Sequence, residues 1–177
     1  MKKTVEEKIR TGIDKYQHLR KQLEQINVAE DYEYQRCFNG FFRMGRRTEA
    51  FYTDFYTYFE QHKTQKIVFA DVLRFLYEKQ GRLEMSFASK MVAIIDPTFP
   101  IWDSVVAGSH FGMKAPRWNE KNRVEQAIQK YDEYCCCYNT YLQTDEAQAK
   151  IAIFNTNYPN EDITDVKKLD FILWQER

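Results

Sequence analysis

Residues 81–106, GRLEMSFASKMVAIIDPTFPIWDSVV, read as a turn, an apolar helix, a proline-bracketed loop and the opening of another helix. Gly81 suits the left-handed residue that ends a preceding helix. Ser86 is an expected N-cap for the helix carrying Phe87, Met91, Ile94 and Ile95, which stops before Pro97. Asp103 then sits between Ile101-Trp102 and Val105-Val106, an acid in an apolar collar at a helix start. Such an aspartate is either a helix cap or a working carboxylate, and the two roles are compatible because a capped carboxylate is also a positioned one.

Outward from this stretch the helical pattern continues in both directions. Val5 to Ile26 predicts a long first helix with Ile9, Ile13, Tyr16, Leu19 and Leu23 on one stripe. Asp31 caps a second helix running toward Met44, bent at Gly40. Thr48 to Lys63 predicts a third, with Phe51, Phe55, Tyr58 and Phe59 at helical spacing, and Phe69 to Lys79 a fourth with Val72, Leu73, Leu76 and Tyr77 inward. Asn119 is the expected cap of a helix bearing Val124, Ile128, Tyr131, Cys135, Tyr138 and Leu142. Thr144 caps one bearing Ala147, Ile151 and Phe154, and Thr164 a last one bearing Val166, Leu169, Ile172 and Leu173. The expected fold is all-α: a single domain over 1–177, with eight or nine helices and a helix-hairpin-helix-like element near 69–96.

Composition agrees. A chain of 177 residues is one domain's length, and 44% hydrophobic with 16% aromatic residues is globular. Six glycines and four prolines leave little room for long loops. No apolar run approaches the roughly 20 residues of a membrane span. MKKTVEEKIR lacks the apolar core of a secretory signal. A cytoplasmic protein is therefore expected, and three consecutive cysteines, Cys135, Cys136 and Cys137, suit a reducing compartment.

The formal charge is zero but unevenly spread. Residues 36–123 hold 14 basic and 9 acidic side chains, and residues 124–177 hold 5 and 10. A positive face in the middle of the chain is one reading and ordinary fluctuation the other. Arg36, Arg43, Arg46 and Arg47 interleave with Phe38, Asn39, Phe41 and Phe42, and no acid intervenes before Glu49. That pattern fits either a nucleic-acid surface or a helix junction with solvated arginines. His18, His62 and His110 are scattered, and adjacent helical cysteines point about 100° apart, so no metal site is expected. No GxSxG, Walker loop or GxGxxG is present, which leaves acyl transfer, P-loop chemistry and dinucleotide binding without support.

The order of FLYEKQGRLEMSFASKMVAII followed by PIWDSVV resembles the helix-hairpin-helix (HhH-GPD) DNA glycosylase superfamily over about a sixth of the chain. In that family hairpin amides hold a DNA phosphate and an essential aspartate follows the second hairpin helix. The family hairpin carries Leu-Pro-Gly-Val-Gly where this chain has Gln80-Gly81-Arg82-Leu83-Glu84. The family's lyase lysine has no counterpart at its spacing, Lys90 lying closer to Asp103, so the resemblance implies a monofunctional enzyme. FASKM, PIWDS and KKLDFILW are also similar to segments of small uncharacterised bacterial proteins.

The resemblance implies a DNA partner and base excision by nucleotide flipping, leaving an abasic site, in repair or in attack on modified phage bases. It assigns phosphate contacts to Gly81, Arg82, Ser86, Ser89 and Lys90, and further backbone contacts to Arg43, Arg46 and Arg47. Asn39 or Phe41 and Phe42 would fill the gap left by the flipped nucleotide. Trp102 would line the base pocket, and Asp103 would stabilise the oxocarbenium-like sugar and orient water. No metal or organic cofactor is required. The alternative is a non-enzymatic helical module that binds nucleic acid or protein, with Asp103 only a cap.

Overall fold

Capping residues set where the helices begin. In the computed structural model, which describes residues 4–176, the Thr4 hydroxyl accepts from the Glu7 N–H at 3.2 Å and the Glu7 carboxylate from the Thr4 N–H at 2.8 Å. This reciprocal box opens α1 (Val5–Leu23), whose buried stripe is Ile9, Ile13, Tyr16, Leu19 and Leu23. Met1–Lys3, part of the amino-terminal stretch read as non-secretory, and Arg177 lie outside the described residues. Asp31 caps α2 (Tyr32–Phe41), Thr48 caps α3 (Glu49–His62) and Thr144 caps α8 (Asp145–Asn157), each through its side-chain oxygen. The Thr164 hydroxyl accepts from the Lys167 N–H at the start of α9 (Asp165–Glu176). Between these lie α4 (Phe69–Gln80), α5 (Met85–Ile95), α6 (Ser104–Phe111) and α7 (Arg123–Leu142). The described residues form nine helices and no strand.

Several boundaries differ from the sequence reading, each for a local reason. The first helix stops at Leu23, not Ile26, because the N–H groups of Gln25 and Ile26 both turn back to Gln22 O. The second ends at Phe41 without a bend at Gly40. Arg43 takes a left-handed φ of 52° and Met44 N–H folds back onto Asn39 O at 2.8 Å. Ser86 is not a cap: α5 begins at Met85 after Glu84, whose side chain makes no capping bond. Nor does Asn119 cap α7; Asn122, at φ 54°, immediately precedes it. Gly81 does end α4 in the left-handed conformation, at φ 63°.

One continuous core runs through all nine helices. Phe38 lies at its aromatic centre, with the rings of Phe42, Phe59, Tyr56 and Phe55 at 4.6, 5.6, 5.9 and 6.0 Å. Burying each such ring contributes about 1.5–3 kcal/mol. On α7 the buried face is Ala127, Tyr131, Tyr134 and Tyr138, while Val124, Ile128 and Leu142 are only half-buried. On α9 Phe171 is buried and Ile172 half-buried. Helix α9 comes so close to α1 that a Cβ on Gly12 would stand 2.9 Å from the Phe171 ring. Among the described residues no helix is long and apolar enough to cross a membrane.

Candidate functional site

A cleft of about 680 Å³ opens where α1, the end of α2, α5, the start of α6 and the end of α9 meet. Asp103 stands in its wall, half-buried at the start of α6. Its Oδ1 accepts from the N–H groups of Val105 at 2.9 Å and Val106 at 3.2 Å, so it is a helix cap. The same residue faces the cleft, and the capping bonds fix the direction of its carboxylate. Lys8, Lys15, Arg43 and Lys90 bring four cations to this one lining carboxylate. Half-buried Phe41 and Trp174, with ring centroids 6.1 Å apart, supply an aromatic face. The cleft therefore combines charge suited to an anionic ligand with flat surfaces suited to a base.

The loop that delivers Asp103 is bound from behind. The Tyr131 hydroxyl donates to Pro100 O at 2.8 Å and the Tyr134 hydroxyl to Ile101 O at 3.2 Å. Burial pushes both phenols well above their ordinary pKa, which keeps them protonated donors. Thr164 donates its hydroxyl proton to Pro97 O at 2.7 Å.

The sequence-derived site residues divide sharply. Asp103, Lys90, Arg43 and Phe41 share the cleft. Lys90 is half-buried in α5, its ammonium 5.3 Å from the Phe87 ring centroid. Phe42 also borders the cleft but is only 3% exposed and locked between Phe38 and Phe41, so it is not a wedge that can leave the core. Asn39 is likewise no wedge, because its Oδ1 accepts from the Tyr56 hydroxyl at 2.8 Å and ties α2 to α3. Trp102 is sealed in the core at 2% exposure, edge-on to Tyr134, and does not line a base pocket. Ser89 is fully buried and cannot meet a phosphate; its hydroxyl donates to Ser86 O and accepts from the Trp102 N–H.

The hairpin turn differs from the expectation too. Buried Glu84 takes a two-pronged ion pair from Arg47, at 2.9 and 2.8 Å, and the Arg47 guanidinium lies 4.7 Å over the Phe87 ring. Exposed Arg82 approaches the same carboxylate at 3.7 Å. Arg47 thus bolts the 43–48 loop to α5 rather than standing ready for a backbone phosphate. Gly81 and Arg46 are exposed and Ser86 is half-buried. Arg36 is exposed on α2, 3.8 Å from Glu33, and does not line the cleft.

Lys8, Thr11, Lys15 and Trp174 also line the cleft, without being among the residues that the sequence pattern points to. The signal existed: Lys8, Thr11 and Lys15 recur at i, i+3 and i+7, one face of α1 beside the apolar stripe. Nothing in the sequence shows that this face meets Asp103. Among the described residues no group of three or more His, Cys, Asp or Glu side chains is arranged to hold a metal ion. No family model, curated protein or solved structure matches the chain.

Proposed function

We propose that the protein is a monofunctional DNA glycosylase of helix-hairpin-helix type that flips a damaged or modified base into the Asp103 cleft and excises it. The observation that supports this most is the shared cleft, lined by a fixed carboxylate, by Lys90 and Arg43, and by the aromatic pair Phe41 and Trp174. The helix, left-handed glycine and helix of α4 and α5 are compatible with the same reading. In this scheme Lys8, Lys15, Arg43 and Lys90 neutralise backbone phosphates, and Arg46 extends the positive rim. The extruded base stacks on the aromatic face. Asp103 balances positive charge developing on the sugar and takes a proton from water as the water oxygen bonds to C1′. The C1′–N bond breaks, its electron pair leaves with the base, the base takes up a proton from solvent, and Asp103 returns its own proton to solvent. A cytoplasmic setting, in repair or in attack on modified phage DNA, suits a chain with four free thiols.

The test is a panel of duplexes carrying deaminated, alkylated, oxidised and phage-type modified bases, scored for alkali-labile abasic sites. The parent protein leaves abasic sites in at least one. Asp103→Asn keeps the oxygen that caps α6, so it folds and binds DNA, but its excision rate falls by roughly 10²-fold or more. A parent that produces no abasic site on any duplex contradicts the enzyme. The capping bonds of Asp103 favour one other reading, a non-enzymatic nucleic-acid-binding module, which predicts DNA binding without excision.

A further inference from the structure

Residues 112–122 join α6 to α7, and an indole stands at the tip of that loop. Trp118 is 83% exposed, the highest value of any large hydrophobic side chain among the described residues. It takes the second position of a turn closed by the Glu120 N–H on Arg117 O at 3.2 Å. The turn is held from behind. Arg123 Nη1 donates to Trp118 O at 3.2 Å, and its guanidinium lies 5.6 Å from the Tyr77 ring centroid on α4. Gln126 Nε2 donates to Lys121 O at 3.1 Å, the Met113 N–H donates to Ala107 O at 2.8 Å, and Pro116 is buried. The backbone is thus tied on both sides of Trp118 while the ring is left in water. Such order lowers the entropy cost of engaging a ligand.

Exposed Lys114, Arg117 and Lys121 flank the ring, and half-buried Glu120 is the loop's one acid. Glu125, at the start of α7, is already held by Arg74 at 3.1 and 2.9 Å. Lys130 and Glu133, which border the loop on α7, carry opposite charges. Arg123 Nε is buried without a hydrogen-bond partner among the described residues, and Arg123 borders an opening of about 340 Å³ together with Trp118 and Tyr77. A flat ring among cations matches a flat group within a chain of anions, which is a nucleobase between phosphates. The base has to be unpaired, because a base pair inside a duplex shows its edges and no bare face. An acidic peptide would answer the cations and leave the indole unused. A lipid surface is the poorer match, since residues 112–122 expose no second large apolar side chain to enter it.

We propose that residues 112–122 form a second nucleic-acid contact, in which Trp118 stacks on an unpaired base while Lys114, Arg117 and Lys121 hold the neighbouring phosphates. The contact is separate from the Asp103 cleft, and none of the residues lining that cleft belongs to it. Helix α6 connects the two, opening at Asp103 and ending at Gly112, about 12 Å of helix. No catalysis at Asp103 is needed for this contact to form.

Tryptophan fluorescence tests it. The chain has three tryptophans, and Trp174→Phe removes the one in the cleft, leaving sealed Trp102 and exposed Trp118 to report. Titrating that protein at low salt with an oligothymidylate of about twelve nucleotides quenches the emission. Adding Trp118→Gln abolishes the quenching and weakens binding, read by anisotropy of a labelled oligonucleotide, about tenfold. Trp118→Tyr, which keeps a stacking face, loses only about threefold. Lys114→Gln/Lys121→Gln lowers the slope of log K against log salt by about 1.4, the share of two single-strand phosphates. Emission that stays unchanged at saturating oligonucleotide would overturn the proposal, as would affinity equal in Trp118→Gln and the parent. Equal quenching by a blunt duplex of the same length would refute the unpaired base. Response to phosphatidylglycerol vesicles without response to the oligonucleotide would make the loop a membrane contact instead. A protein that excises no base yet shows the quenching refutes the glycosylase and keeps this contact; excision without quenching does the reverse.

Discussion

The hairpin turn and the Asp103 cleft are both rich in cations, yet they use them in opposite ways. At the turn Arg47 and Arg82 converge on buried Glu84, and Arg47 is further packed over Phe87. In the cleft four cations line a wall with one carboxylate, already engaged in capping α6. Glu84 neutralises one of the two arginines at the turn, whereas the four cations lining the cleft outnumber its single carboxylate by three. Counting arginines along the sequence does not separate these cases; a single buried glutamate does. Arg47 therefore serves to hold the turn to the fold, and the glycosylase reading proposed above places its phosphate contacts on the α1–α9 side.

That contrast is open to attack, beginning with the turn. Glu84→Gln leaves Arg47 without its ionic partner and is expected to cost about 3–5 kcal/mol of stability, read from a denaturant midpoint, because breaking a buried pair strands the other charge. At a temperature where the variant remains folded its DNA affinity stays close to the parent's. A turn that gripped DNA would instead gain affinity when the repelling carboxylate was removed. A smaller effect is expected at the cleft. Gly12→Ala gains about 1 kcal/mol of helix propensity but presses a methyl group into the Phe171 ring. That ring is itself packed against Tyr16 and Phe41, so a net loss of about 1–2 kcal/mol is expected, with weaker DNA binding as the cleft wall shifts. Unchanged affinity in Gly12→Ala would place the DNA site away from this wall.

Much of the helical architecture was legible because its signals are local. Thr48, Thr144, Thr164 and Asp31 cap as their positions imply, and Gly81 ends a helix as an isolated glycine should. Boundaries escape a reading of caps and periodicity where other contacts compete, locally at Met44, whose N–H turns back to Asn39 O, and at long range at Glu84, which serves Arg47 rather than a cap. Asp103 was legible as a cap from its place between apolar pairs, and its position in a cleft was not. Direction was the harder quantity throughout. Ser89 and Lys90 are neighbours in sequence, yet one faces the core and the other the cleft. Trp102 and Trp174 have equal aromatic character, and the expectation chose the buried one. Only the packing of α9 against α1 distinguishes them, and that contact spans most of the chain.

The most direct measurement of where the ligand sits is the salt dependence of duplex DNA binding in Lys8→Gln/Lys15→Gln set beside Arg82→Gln. Each phosphate contact contributes about 0.9 to the slope of log K against log salt, so the cleft variant should lose about 2 from that slope. Its affinity should fall by roughly tenfold or more at low salt, while Arg82→Gln retains nearly the parent slope. A slope that falls in Arg82→Gln and holds in the cleft variant would contradict the account and return the phosphate grip to the hairpin turn.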